Sequence, residues 1–193
     1  MQGTEKDRLR RELLAVRGEL SRDEIDSARA KVREFVLARA RERGWQSVAA
    51  YVPLRTEPGS TELLDELTTS GVRVLVPLLA DDRDLDWQVW DPAAPVDPLE
   101  PVDSAAEALG SGAIAEVDAV VVPALAVARD RGTRLGRGGG SYDRALARVR
   151  PEADRIALLY DGEVFHELPA DEWDVPVTDA VTPSGWVQLS VDG

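Results

Sequence analysis

The 193-residue sequence contains no cysteine, no asparagine and one histidine, and only two of its 23 basic residues are lysines. The absence of cysteine excludes disulfide bonds, thiolate metal sites and cysteine nucleophiles. With His166 as the single histidine, sites built from several histidines are excluded, and a histidine-based catalytic triad is not expected. No run of about 18 apolar residues occurs, and the N-terminal segment lacks the apolar stretch of a secretory signal. We therefore expect a cytoplasmic, globular protein with no membrane partner.

The net charge of −13 argues against general binding of nucleic acid. The charge is unevenly distributed: residues 1–43 carry a net charge of +3 and residues 129–150 carry +5, whereas the rest of the chain carries −21. Two basic regions in an acidic chain favour a site for a small anion, although solvated helix surfaces would give the same composition. The length fits one domain spanning 1–193, and we expect a monomer.

Hydrophobic spacing predicts two helices at the start of the chain. The first has apolar residues three and four positions apart, which predicts one buried face. These residues are Leu9, Leu13, Val16 and Leu20. Ser21 and Glu24 have the spacing of a capping box that begins the second helix, and Gly44 is expected to end it.

After residue 44, short apolar runs alternate with helical patterns, which predicts a three-layer α/β fold with a mainly parallel sheet. This is the Rossmann-like architecture that is also found in sugar-phosphate isomerases and CoA transferases. Strands are predicted over 48–52, 72–76, 117–122 and 156–160, with an edge or hairpin strand over 85–90 and one more within 175–189. Helices are predicted over 61–70, 103–109 and 141–149, and a proline-rich loop over 91–102. The run over 117–122 is continuously apolar, as in a strand covered on both faces.

A glycine-rich segment from Gly132 to Asp143 follows the most apolar predicted strand and precedes a predicted helix. Open α/β sheets bind ligands beyond the carboxyl ends of their strands, and glycines let backbone N–H groups approach phosphate oxygens. Arg134 and Arg137 add donors that can grip phosphate through two hydrogen bonds each. The segment is neither a Walker A sequence, which needs a lysine, nor a dinucleotide motif, because Ser141 occupies the third glycine position. The residues alone predict a phosphate-binding loop of undefined ligand, with a solvated turn as the alternative.

Three segments of the chain together carry a more specific signal. Residues 120–127 (VVVPALAV) and 132–143 (GTRLGRGGGSYD) form the first, residues 6–10 (KDRLR) the second, and residues 51–57 (YVPLRTE) the third. In their order along the chain, these segments resemble the 5-formyltetrahydrofolate cyclo-ligase family. The signature of that family reads G-x-R-L-G-x-G-x-G-Y-Y-D, and its opening reads K-x-x-L-R. Ser141 departs from the family pattern, which commonly has tyrosine there.

The resemblance implies a ligase that converts 5-formyltetrahydrofolate to 5,10-methenyltetrahydrofolate and turns ATP into ADP and phosphate with magnesium. Phosphorylation of the formyl oxygen would create a leaving group, and the neighbouring N10 could then attack the formyl carbon. Phosphoryl transfer depends mainly on positioning and charge neutralisation. A chain without cysteine and with a single histidine is therefore compatible with it.

The resemblance also implies roles for individual residues, with Arg137 and Lys6 as catalytic groups. Contacts to ATP are implied for Lys6, Arg10, Arg134, Leu135, Gly136, Arg137, Gly138, Gly139, Gly140, Ser141 and Tyr142. Contacts to the folate are implied for Tyr51, Val52, Glu57, Arg137, Gly138, Gly139, Gly140 and Ser141. Magnesium ligands are implied at Asp143 and Asp179.

Several of these residues also have plain structural interpretations. Asp143 would stabilise a helix by its position in the first turn. Lys6 and Arg10, four residues apart, would share one solvated helix face. Glu57 would be a loop acid, although its carboxylate could accept the adjacent amino and ring N–H groups of a pterin. Trp90 would stack on the pterin or, more commonly for such a position, pack under an edge strand.

Two other functions remain open from the sequence. One is a different enzyme on the same scaffold, such as a sugar-phosphate isomerase or a CoA transferase, and the other is a non-catalytic anion or nucleotide sensor. The first does not account for Lys6 and Arg10 together with Asp143 and Asp179. Release of ADP that depends on 5-formyltetrahydrofolate would separate all three functions.

Overall fold

The computed structural model describes residues 2–80, 83–94 and 108–190. Its helices are α1 (Gln2–Glu19), α2 (Arg22–Arg43), α3 (Thr61–Thr69) and α4 (Ser141–Leu146), with a 3₁₀ helix over Ser111–Glu116. None of the helices in these three ranges is long and apolar enough to cross a membrane.

In these three ranges, ten strands form one large sheet and one small sheet. They are β1 (Ser47–Ala49), β2 (Arg73–Leu79), β3 (Leu85–Val89), β4 (Ala119–Pro123), β5 (Ala126–Ala128), β6 (Arg134–Leu135), β7 (Asp154–Leu158), β8 (Val164–Phe165), β9 (Asp179–Thr182) and β10 (Gly185–Gln188). The large sheet has the order β10-β9-β7-β4-β1-β2-β3. Its five inner strands are parallel, and the edge strands β10 and β3 are antiparallel to their neighbours. The predicted mainly parallel α/β sheet is confirmed.

Both faces of the large sheet are covered, which explains the continuous apolar run of its central strand. In β4, Ala119 and Val121 pack in the core formed with α2 and α3, whereas Val120 and Val122 pack with the 3₁₀ helix and α4. Because side chains of a strand alternate between faces, both sets must be apolar when both faces are buried. The apolar run of β4 therefore reflects its place in the middle layer, with helices packed on both faces of the sheet.

The ends of α2 lie where the sequence predicts them. Ser21 Oγ accepts a hydrogen bond from the Glu24 N–H, and Glu24 Oε2 accepts one from the Ser21 N–H at 2.8 Å, which completes the capping box. Gly44 ends the helix with a φ of +65°, a left-handed conformation that glycine adopts without a steric penalty.

The predicted buried face of α1 is only partly correct, because Leu9, Leu13 and Leu20 are half-buried but Val16 is 60% exposed. The most buried side chains of α1 are those of Lys6 and Arg17, at one side of that face, which are only 5% and 1% exposed. Arg17 is buried because its guanidinium forms two 2.7 Å hydrogen bonds with the carboxylate of Glu163 and donates to the carbonyl of Ala124. Charged groups thus attach the inner face of α1 to the rest of the fold, and the spacing of hydrophobic residues cannot predict such contacts.

A small sheet that the sequence does not predict separates β4 from the glycine-rich segment. β5 and β6 form an antiparallel pair, and β8 joins β5 in parallel. Strands of two or three residues are too short to show an apolar repeat. The glycine-rich segment therefore contains β6 and follows β5, not directly β4 as predicted.

Other boundaries differ from the predictions by a few residues. The tail contains the hairpin β9–β10 where one strand was predicted, β1 ends at Ala49 rather than residue 52, and α4 ends at Leu146 rather than residue 149. The helix predicted over 103–109 and the loop predicted over 91–102 lie largely outside the described residues.

Candidate functional site

A cavity of about 840 Å³ opens at the carboxyl ends of β1, β2 and β4. Tyr51 and Val52 follow β1, Leu79 ends β2, and Pro123 ends β4. The glycine-rich segment, the start of α4 and the first turns of α1 complete the wall. This end of the strands is where open α/β sheets bind ligands. Of the site residues expected from sequence, all but Leu135 and Asp179 line this one cavity.

The glycine-rich segment packs tightly against two arginines. A Cβ atom at Gly136 would lie 2.5 Å from Arg134 Nη1, so a side chain there would displace the guanidinium. Gly138 has a φ of +101°, which a residue with a side chain rarely adopts. Arg10 Nε donates to the Gly136 carbonyl at 2.9 Å and thereby joins α1 to the segment.

Arg134 belongs to this segment, and its buried side chain contacts both α4 and β4. Its Nη2 donates to Asp143 Oδ1 at 3.0 Å, and its Nη1 donates to the Pro123 carbonyl at 3.2 Å. Its guanidinium also lies 5.7 Å from the centre of the Tyr142 ring, within cation–π distance. Arg134 therefore fixes the start of α4 relative to the end of β4.

Lys6 is buried at the cavity wall between two carboxylates. Its Nζ lies 2.7 Å from Asp171 Oδ2 and 2.6 Å from Asp174 Oδ2. Burial alone would lower the pKa of Lys6, but the hydrogen bonds and charges of Asp171 and Asp174 hold that pKa above its ordinary value. The ammonium group is therefore charged at neutral pH. The sequence analysis did not identify Asp171 or Asp174 as partners of Lys6. These acids lie 165 and 168 residues away from Lys6 in sequence, so no local pattern indicates the contact.

Glu57 lies 4% exposed at another part of the wall, held by two contacts. Its Oε2 accepts from the Leu54 N–H at 2.9 Å, and its Oε1 accepts from Arg137 Nε at 3.1 Å. Burial, followed by the charge of Glu57, raises the pKa of Tyr51 well above its ordinary value. The cavity wall therefore presents a buried hydrogen-bond acceptor, the Glu57 carboxylate, next to a partly exposed cation, the Arg137 guanidinium.

Ser141, where the family commonly has tyrosine, has a partner outside the glycine-rich segment. Its Oγ donates to the Arg83 carbonyl at 2.7 Å, and Arg144 Nη2 donates to the same carbonyl. Ser141 therefore joins the start of α4 to the connection between β2 and β3.

The structure does not bring Asp179 to the cavity. Asp179 is the first residue of β9, at the amino end of that strand, whereas the cavity opens at the carboxyl ends of the parallel strands. Its Oδ1 accepts from Trp186 Nε1 at 2.7 Å. Trp90 is also absent from the wall; it is buried and donates to Asp65 at 2.8 Å, which matches the packing alternative.

Comparisons with a family model and with known sequences point to the same family. Residues 2–183 match the model of the 5-formyltetrahydrofolate cyclo-ligase family. The chain is 38% identical over 164 residues to the 5-formyltetrahydrofolate cyclo-ligase of Mycolicibacterium smegmatis, covering 73% of this chain and 79% of that protein.

Two solved structures resemble the fold over nearly the whole chain. The 5,10-methenyltetrahydrofolate synthetase of Aquifex aeolicus superposes with a TM-score of 0.73 at 28% identity, covering 97% of this chain and 94% of that one. The 5,10-methenyltetrahydrofolate synthetase of Mycoplasma pneumoniae gives a TM-score of 0.74 at 20% identity, covering 92% and 98%.

Proposed function

Because the chain belongs to the 5-formyltetrahydrofolate cyclo-ligase family, we propose that it closes 5-formyltetrahydrofolate to 5,10-methenyltetrahydrofolate with the conversion of ATP to ADP and phosphate. One observation carries the proposal: a single cavity holds the buried acid Glu57, suited to a pterin, directly beside cations suited to a triphosphate. A site for an anion alone would not need a buried carboxylate in contact with Arg137.

The reaction divides into two steps. The formyl oxygen attacks the γ-phosphorus of ATP, the bond to the bridging oxygen breaks, and ADP leaves. N10 then adds to the formyl carbon, the carbon–oxygen bond breaks, and phosphate leaves with the former formyl oxygen. N10 loses its proton, and the product is the methenyl cation. No step needs a nucleophile from the protein, which suits a cavity lined by arginines, glycines and acids.

Arg137 connects the two substrates. Its Nε bonds to Glu57, and its position between Gly136 and Gly138 gives the guanidinium access to the cavity. We assign Glu57 to the pterin, and Arg137 to the phosphoryl group as it moves to the formyl oxygen. A guanidinium there offsets the negative charge of the transferring group.

Lys6 and Arg10 are suited to the other phosphates. They are one helical turn apart on α1, and Arg10 reaches the Gly136 carbonyl. Lys6 is held by Asp171 and Asp174, and Arg10 Nη1 bonds to Asp7 at 2.6 Å. A lysine ammonium has three N–H donors and a guanidinium five, so phosphate oxygens can join these carboxylates as further acceptors.

The cavity acids fit a magnesium ion that ATP brings with it. Magnesium prefers oxygen ligands and needs only one or two carboxylates when phosphates complete the shell. Asp143 and Asp174 both line the cavity, and we propose Asp174 in place of Asp179 as the second carboxylate. Within the described ranges no cluster of three or more metal-binding side chains occurs. The ion would neutralise phosphate charge during transfer.

Asp143→Asn is expected to raise the magnesium concentration needed for half-maximal rate and to lower the maximal rate. An asparagine carbonyl can coordinate the ion but lacks the charge that holds it. Titration of the initial rate with magnesium, beside a thermal melt, measures both effects. Asp179→Asn is the matched control and should leave the magnesium requirement unchanged. If Asp143→Asn lowers the melting temperature while its magnesium requirement stays normal, Asp143 only supports Arg134 and α4.

Glu57→Gln is expected to weaken binding of 5-formyltetrahydrofolate and to spare ATP. An amide presents one acceptor and one donor, so one pterin N–H would face a donor, at a cost of about 1–3 kcal/mol. Isothermal titration with each ligand separately gives the two affinities. An equal loss for both ligands would show that Glu57 acts by shaping the cavity instead of by contacting the folate.

The overall function is tested by mixing the protein with ATP, magnesium and 5-formyltetrahydrofolate and following the absorbance band of the methenyl product. We expect the band only when all components are present, with one ADP formed per product. A folded protein that binds both substrates and forms no methenyl product would be a sensor. ADP formation that does not depend on the folate would indicate a different ATP-consuming enzyme.

A further inference from the structure

Trp173 is 76% exposed, and it nevertheless lines the cavity. An exposed indole at a cavity wall presents a large flat apolar surface that a planar ligand can cover. No step of the proposed reaction uses this side chain.

The turn that carries Trp173 is fixed in place. The Asp171 N–H donates to Asp174 Oδ2 at 2.8 Å, and the Asp174 N–H donates to the Asp171 carbonyl at 3.1 Å. Both carboxylates also hold Lys6. The indole therefore sits on a turn that is attached directly to the lysine assigned to phosphate.

A chain of contacts connects these groups around the cavity wall. Glu57 contacts Arg137, which follows Gly136 in sequence; the Gly136 carbonyl accepts from Arg10. Lys6 lies one turn before Arg10 on α1 and contacts Asp174, next to Trp173. The acid assigned to the pterin and the exposed indole thus lie at opposite ends of this chain, with the phosphate cations between them.

We propose that Trp173 stacks on the adenine ring of ATP. The inference rests on the proposed function: with the γ-phosphate at Arg137 beside the formyl group, and the other phosphates at Arg10 and Lys6, the base extends toward Trp173. The pterin is the other planar group in the reaction, but its acid, Glu57, lies at the far end of the contact chain. Stacking of a nucleobase on an aromatic side chain is insensitive to the exact base, so Trp173 supplies affinity more than selectivity.

The test compares ATP with inorganic tripolyphosphate, which has the phosphates but no base, in the wild type, Trp173→Ala and Trp173→Phe. Isothermal titration with magnesium should show that Trp173→Ala loses about tenfold or more of its ATP affinity, the size expected for loss of base stacking. Its affinities for tripolyphosphate and for 5-formyltetrahydrofolate should stay unchanged. Trp173→Phe keeps an aromatic face and should retain most of the ATP affinity.

Each other outcome overturns the inference in a different way. Equal losses for ATP and tripolyphosphate would mean that Trp173 only supports the turn that holds Lys6. A loss for 5-formyltetrahydrofolate alone would assign the indole to the pterin. Unchanged ATP binding in Trp173→Ala would remove Trp173 from the site while leaving the proposed function intact. A wild-type protein that binds tripolyphosphate no more weakly than ATP would overturn the base contact, and one that binds neither would overturn the proposed function as well.

Discussion

Arg137→Ala should lower kcat by about 10²- to 10³-fold and leave the protein folded, the effect of removing one preorganised electrostatic donor from an active site. The guanidinium is partly exposed to the cavity and contributes nothing to either hydrophobic core. Its charge matters most when the phosphoryl group lies between the leaving oxygen of ADP and the formyl oxygen. Because its contact with the phosphoryl group is strongest in the transition state, kcat should fall more than the affinity for either substrate.

Two further variants separate the role of this side chain from loss of positive charge in general. Arg137→Lys keeps the charge but loses the planar fork of donors, so it should recover only part of the rate. Arg131→Ala removes an exposed arginine from the connection between β5 and β6 and should behave as the wild type. Near-normal turnover in a folded Arg137→Ala protein would remove Arg137 from the chemistry.

Arg17→Met should lower the free energy of unfolding by about 3–5 kcal/mol, because it leaves a buried carboxylate without its partner. Arg17 and Glu163 are both almost completely buried, and their two hydrogen bonds measure 2.7 Å. Burial alone would lower the pKa of Arg17, but the hydrogen bonds and charge of Glu163 raise it above its ordinary value. The Arg17 guanidinium also lies 5.3 Å from the centre of the Tyr160 ring.

Urea denaturation gives this free energy, and the exposed pair Arg8–Glu12 provides the control. Arg8→Met should cost at most about 1 kcal/mol, because exposed ion pairs contribute little. The double variant Arg17→Met/Glu163→Gln should be more stable than Arg17→Met alone, since the uncompensated charge is gone. If Arg17→Met costs no more than Arg8→Met, the buried pair does not hold α1 in place.

Activity of Arg17→Met reports on the same contact. α1 carries Lys6 and Arg10, so a loosened helix should raise KM for ATP more than it changes binding of the folate. Glu163 also accepts the Tyr160 N–H at 2.7 Å, which joins this pair to the end of β7. The buried ion pair therefore belongs both to the stability of the fold and to the placement of the phosphate cations.

Local signals in the sequence predicted the parts of the fold that local interactions determine. Ser21, Glu24 and Gly44 set the ends of α2 through contacts within a few residues, so their pattern is visible in the chain itself. The inner face of α1 could not be predicted in this way. Its cations are buried only because Glu163, Asp171 and Asp174 lie against them, and these acids are more than 140 residues away in sequence.

The candidate site also has parts that the sequence predicted and parts that it did not. The glycine-rich segment and Glu57 reach one cavity, as the resemblance to the family implied. Asp174 and Asp179 are five residues apart, and their sequence surroundings do not show which of them faces the cavity. Their contacts in the fold decide it: Asp174 holds Lys6 at the cavity wall, whereas Asp179 is the first residue of β9 and accepts from Trp186. The contact with Lys6 spans 168 residues of sequence, so the surroundings of Asp174 do not reveal it.

The fate of the formyl oxygen tests the proposed mechanism most directly. Single-turnover reaction of 5-formyltetrahydrofolate carrying ¹⁸O in its formyl group, with unlabelled ATP and magnesium, should deliver the label to inorganic phosphate, one atom per methenyl product. This is required if the formyl oxygen attacks the γ-phosphorus and later leaves with it. Unlabelled phosphate, with the ¹⁸O recovered in water, would contradict phosphorylation of the formyl group and would mean that this cavity uses ATP in another way.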